Sequence, residues 1–139
     1  MSKMRNIEYI GNNFLHISYT TNIKLPNLSK LTEIKDDFVG GFPTTLDMTS
    51  AINVEKIGSG FLNISSLKTV DLSKMTKVKF IGNSFFYYAM NVIEIDLSQM
   101  TELESVGTIF LSQCPDILRL YKVPETSDKN SSFLNSQSI

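Results

Sequence analysis

DLSKMTKVKFIGNSFFYYAMNVIEIDLSQMTELESVG, running from Asp71 to Gly107, contains one phrase twice. The phrase is D-L-S-x-M-T followed by apolar–x–x–Ile/Val–Gly, and it starts at Asp71 and again at Asp96, 25 residues on. Self-similarity at a fixed spacing in the 20–50 range is the signature of a stacked-repeat architecture. Working outward from this stretch, five units align, beginning at Ile7, Leu31, Val54, Val78 and Leu103, with a period of 23 to 25 residues. Their fourth positions are Ile10, Ile34, Ile57, Ile81 and Val106, and their fifth are Gly11, Lys35, Gly58, Gly82 and Gly107. The eighth is always phenylalanine: Phe14, Phe38, Phe61, Phe85 and Phe110, five of the nine in the chain. The ninth holds Leu15, Val39, Leu62, Phe86 and Leu111. No unit buries its Ile, Phe and Leu alone, so stacked neighbours must bury them, and the five phenylalanines are the expected structural core.

The second half of each unit alternates apolar and polar residues: Asn22–Leu25, Thr45–Met48, Thr69–Leu72, Glu94–Leu97 and Arg119–Tyr121. Period two with aliphatic residues inward predicts short strands with one buried face. Strands one repeat apart must stack in parallel, joined by right-handed crossovers. In the first half, the Ile and the Phe-Leu pair lie a few residues apart after a glycine, which predicts a turn and one or two helical turns. A short extended piece before that glycine is the alternative. The expected class is therefore α/β, a right-handed solenoid with its parallel strands concave and the other element convex. Residues 1–124 form the solenoid and 125–139 a polar tail, flexible or capping. Lys35 in the glycine column and the Gly40-Gly41 pair make the second unit the least regular. Pro124 should stop the last strand, because proline cannot donate to a ladder.

The phrases IGSGFL, IGNSFF and VGTIFLSQC, each followed by a segment ending apolar-D-L-S or its degenerate form, resemble the BspA-like class of leucine-rich repeats. The resemblance covers about Ile7 to Pro124. This chain places Phe-Leu where that family has Ala-Phe, and only Cys114 keeps the family cysteine, with Ala89 at the equivalent place one unit earlier. The resemblance implies a right-handed solenoid, protein–protein binding and adhesion at cell surfaces, and no catalysis.

Composition bounds the rest. At 139 residues, with 42% hydrophobic and 19% charged residues, the chain is one folded domain's worth. A net charge of −1 leaves no electrostatic footprint for nucleic acid or an anionic membrane. The longest apolar or aromatic run, Phe85 to Met90, is far short of a bilayer span, so no membrane insertion is expected. The first residues lack the apolar core of a secretory signal, so an intracellular protein is expected unless the chain is a mature or trimmed form. One cysteine and one histidine, Cys114 and His16, exclude a disulfide framework and paired Cys/His metal ligands. No phosphate loop, nucleophile elbow or paired ligand set appears, so neither enzyme activity nor a cofactor is expected.

The outward strand positions form the candidate site. One column runs Lys24, Asp47, Asp71, Asp96 and Tyr121, and a flanking one Asn22, Thr45, Thr69, Glu94 and Arg119. Strands about 4.7–4.9 Å apart would set three carboxylates in a row. That row is a surface for a partner bearing Lys or Arg, a cation site, or the solvated strand end common to such repeats. The function expected is a non-catalytic protein-interaction module using the concave face. The alternatives are an assembly protein that pairs with a copy through open solenoid ends, and a fragment of a surface adhesin. Of the remaining features, Phe85 and Phe86 read as core, with Tyr87 and Tyr88 convex or partly packed. Cys114 reads as an inert packed thiol and His16 as surface or packing. The glycosylation triplets at Asn27, Asn63 and Asn130 read as accidental matches.

Overall fold

The structure is a computed structural model and describes residues 6–16, 19–25, 27–63, 65–111 and 119–121. Cys114, Pro124, Asn130 and the tail 125–139 lie outside the described residues, as do the side chains of Arg119 and Tyr121.

Among the described residues eight short strands make up the regular structure, in two classes. β1 (Asn22–Lys24), β3 (Thr45–Asp47), β6 (Glu94–Asp96) and β8 (Arg119–Tyr121) come from the alternating half of the units. β2 (Glu33–Ile34), β4 (Lys56–Ile57), β5 (Phe80–Ile81) and β7 (Ser105–Val106) precede the glycine column. Every pairing is parallel and joins equivalent residues one repeat apart. Ile34, Ile57, Ile81 and Val106 follow one another in the four-stranded sheet β2-β4-β5-β7. On the other side, Lys24 pairs with Asp47 and Asp96 with Tyr121, the register expected from the repeat.

Two expectations need correction. Among the described residues there is no helix, so the α part of the α/β class is not found. The seventh residue of every unit is left-handed, namely Asn13, Asp37, Gly60, Ser84 and Ile109, with φ from 52° to 69°. The ninth is left-handed as well in Leu15, Leu62, Phe86 and Leu111. Two such residues flanking the phenylalanine are incompatible with a right-handed helix. What holds them there is bonding between units. The N–H groups of Asn13, Asp37, Gly60 and Ser84 donate to the carbonyls of Asp36, Ser59, Asn83 and Thr108 in the next unit, at 2.8–2.9 Å. An intrahelical bond cannot form with those donors already committed.

The second correction concerns the Asp-Leu-Ser side, where a continuous sheet was expected. It is split into the pairs β1-β3 and β6-β8, and Thr69–Asp71 pairs with neither. The split coincides with the charge pattern along the column. Pairing occurs where Lys24 faces Asp47 and where Glu94 faces Arg119, and fails where Asp71 comes between Asp47 and Asp96. Like charges directly across a ladder oppose pairing.

The core lies between the two sides and follows the repeat columns. Phe38, Phe61, Phe85 and Phe110 are buried and Phe14 is half-buried at the first unit. Their rings stack in one series, Phe14–Phe38–Phe61–Phe85–Phe110, with centroids 5.0–5.8 Å apart. The column glycines serve this stacking by close approach, not by the turn conformation the spacing suggested. A Cβ on Gly82 would stand 2.6 Å from the Ser59 nitrogen and 2.7 Å from the Gly58 carbonyl carbon, which no side chain tolerates. On Gly11, in the first unit, it would meet only the Tyr9 ring at 3.7 Å. In the irregular second unit the chain does turn at the glycine pair, with Gly41 at φ 85°.

Candidate functional site

The three aspartates of the candidate column stand where the strand side ends, each followed two residues later by Thr or Ser. Asp47 Oδ1 accepts from the Thr49 N–H at 3.0 Å and from its hydroxyl at 2.6 Å. Asp71 Oδ1 accepts from the Ser73 N–H at 2.9 Å, and Asp96 Oδ1 from the Ser98 N–H at 2.8 Å. These are Asx turns, in which the side chain mimics a backbone turn and reverses the chain. The bonds from the Thr49 hydroxyl and N–H, helped by Lys24, hold the Asp47 carboxyl below its ordinary value. Ser73 does the same for Asp71, against the opposing charge of Asp47. In each case Oδ1 is committed to the turn. The three side chains are therefore held in place by their own turns.

Around them the flanking column is polar. Thr45 and Thr69 are exposed, Glu94 is half-buried, and the Thr45 hydroxyl donates to Asn22 Oδ1 at 2.8 Å. Two shallow grooves run across this side. One is lined by Lys24, Thr45, Asp47 and Asp71, the other by Thr69, Asp71, Glu94 and Asp96, so Asp71 belongs to both. The structure thus brings Lys24, Thr45, Asp47, Thr69, Asp71, Glu94 and Asp96 onto one side. Of Arg119 and Tyr121 it gives the backbone register only.

Among the described residues no group of three His, Cys, Asp or Glu side chains could hold a metal ion, and no helix is long and apolar enough to cross a membrane. His16 is half-buried, its Nδ1 4.0 Å from Asp37 Oδ1. Phe85 and Phe86 are buried, Tyr87 is half-buried and Tyr88 is 43% exposed. Asn27 spends Oδ1 on its own turn to Ser29, and Asn63 Oδ1 is buried.

Two groups of residues escaped the sequence reading. The sixth positions form a side-chain ladder: Asp36 Oδ1 accepts from the Ser59 N–H, Ser59 Oγ from the Asn83 N–H, and Asn83 Oδ1 from the Thr108 N–H, at 2.7–3.3 Å. Each is a small hydrogen-bonding residue, and that shared chemistry was the available signal. The second group is apolar and exposed: Tyr19, Phe42, Met90 and Ile93. These recur at no fixed repeat position, so no column marks them. No known protein family, curated protein or solved structure matches the chain.

Proposed function

We propose that this chain is a non-catalytic protein-interaction module: a short right-handed solenoid of the BspA-like leucine-rich-repeat kind that docks a partner on its Asp-Leu-Ser face. The observation that carries this reading is the row of turn-fixed carboxylates, Asp47, Asp71 and Asp96, one repeat apart. Side chains already held in one rotamer lose little entropy when a cation approaches, so a Lys- or Arg-bearing segment gains most of the charge attraction. Electrostatic complementarity of this kind contributes specificity and encounter rate more than raw affinity.

The test is affinity capture from the native source with the full chain, in parallel with Asp71→Lys. Asp71 is exposed, so its replacement leaves the core untouched. A partner that is retained by the parent chain and lost by a cooperatively melting Asp71→Lys variant is the expected result. Equal retention by both overturns this face as the docking site.

A second reading, assembly through the end of the stack, draws on Phe14. It closes the ring series at the first unit and is only half-buried. Light scattering on the eluting protein decides it: a single monomer mass at high concentration ends the assembly reading.

A further inference from the structure

Two backbone bonds recur at every junction of the four-stranded sheet. The second-position N–H groups of Glu55, Lys79 and Glu104 donate to the carbonyls of Thr32, Glu55 and Lys79, each at 2.8 Å. The fifth-position N–H groups of Gly58, Gly82 and Gly107 donate to the carbonyls of Ile34, Ile57 and Ile81, also at 2.8 Å. A sixth-position side chain closes each junction, as Asp36 does by accepting from the Ser59 N–H. None of these three bonds forms between the first and second units. Thr32 and Lys35 do not donate to Glu8 and Ile10, Asp36 does not donate to Asn12, and residues 8–10 join no strand pair. Elsewhere the same two units are in register. β1 pairs with β3, the Asn13 N–H donates to the Asp36 carbonyl at 2.9 Å, and Phe14 stacks on Phe38 at 5.5 Å. The first unit is thus tied to the stack along β1 and at its phenylalanine, and stands apart from β2 over residues 8–12.

What differs at this junction is the fifth position. A Cβ on Gly58, Gly82 or Gly107 would stand 2.6–2.8 Å from backbone atoms of the preceding unit, so the sheet closes there only because that atom is missing. Lys35 carries it. Repulsion offers no competing cause, since like charges oppose pairing only where they face each other. The residues that would do so, Glu8 and Thr32, Tyr9 and Glu33, Ile10 and Ile34, include no like-charged pair. The Lys35 ammonium is itself bonded to Glu33 within the second unit.

We propose that Lys35 is a steric stop in the glycine column. Its Cβ holds residues 8–12 off β2, ends the sheet at four strands and leaves the first unit as a flap hinged on the β1–β3 pair. The stop is independent of the acidic-face reading and acts on the opposite side of the stack.

Because the stop acts through an atom that only glycine lacks, size and charge can be separated. Amide hydrogen exchange is followed by NMR on the full chain and on Lys35→Gly, Lys35→Ala and Gly58→Ala, with thermal melts to establish that each is folded. Thr32 is the decisive amide, because neither it nor its chain neighbours are altered. In Lys35→Gly its exchange should slow about tenfold or more, toward that of Glu55, as residues 8–10 join the sheet. In Lys35→Ala, which loses the bond to Glu33 but keeps the Cβ, Thr32 should exchange as in the parent chain. Gly58→Ala should do the reverse one junction on and speed exchange at Glu55 by a similar factor. Unchanged Thr32 exchange in Lys35→Gly overturns the stop, and so does unchanged Glu55 exchange in Gly58→Ala. Equal slowing in Lys35→Ala overturns it as well, and assigns the open junction to the lysine charge.

Discussion

Ile109 sits at φ 59°, a conformation in which a β-branched side chain crowds its own backbone. The same position in the other units holds Asn13, Asp37, Gly60 and Ser84, all residues that tolerate it better. Ile109 is 42% exposed, so its side chain recovers little by burial. Ile109→Asn is therefore expected to stabilise the protein by about 1 kcal/mol, since the left-handed penalty for an L residue is about 1–2 kcal/mol. Thermal melts of the two proteins measure it, and a lower melting temperature for the variant would contradict the left-handed assignment. Asn, Asp, Gly and Ser at this position signal a left-handed backbone in sequence, but only when the units are aligned to expose the column. Ile109 itself carries no such signal.

At the scale of the element, the strand sides are closed by turns that depend on ionised aspartates. Asp47 and Asp71 both titrate below their ordinary value because the Thr49 and Ser73 donors favour the charged form. A carboxyl whose folded pKa is depressed contributes its stability above the unfolded value of about 4, and loses it as pH falls through the folded value. The melting temperature should thus hold at neutral pH and fall on acidification below about pH 4. In an Asp47→Asn/Asp71→Asn double variant that acid slope should be shallower. It should not vanish, because Glu33 is depressed too, by Lys35 and Lys56. An unchanged slope would mean the turn bonds do not favour the charged form. The alternation that marks these strands is plain in sequence. The loss of pairing at Thr69–Asp71 is not, since the alternation there is the same as in the strands that do pair.

For the whole molecule, cohesion runs along the phenylalanine series. Phe61 is fully buried and stacks on Phe38 and Phe85, with Phe86 against its edge at 6.0 Å. Removing such a side chain leaves a cavity that the neighbouring units cannot close, at a cost of about 3–5 kcal/mol. Domains of this size have a total stability of about 5–15 kcal/mol. Phe61→Ala should therefore lower the denaturation midpoint sharply. A chemical melt unaffected by this substitution would refute the series as the core. The phenylalanine column was the clearest feature of the sequence, and its burial follows from one fact: a unit this short has no interior of its own.

Sequence alone determined the repeat, its period, the inward columns and the register of equivalent residues, because each depends on residue type at a fixed spacing. Tertiary structure decided the path of the chain around each phenylalanine. Donors at the seventh position bond to the next unit, hold the backbone left-handed and so prevent the helix that the spacing of Ile, Phe and Leu suggested. It also gave the column glycines their reason, a backbone too close for a Cβ at Gly58, Gly82 and Gly107. The aspartate row was legible as a pattern, and the turns that fix its rotamers are local, made to Thr49, Ser73 and Ser98 two residues on. Local spacing records what a residue is, and at the seventh position and the glycine column only the stack supplies the neighbour that sets its conformation.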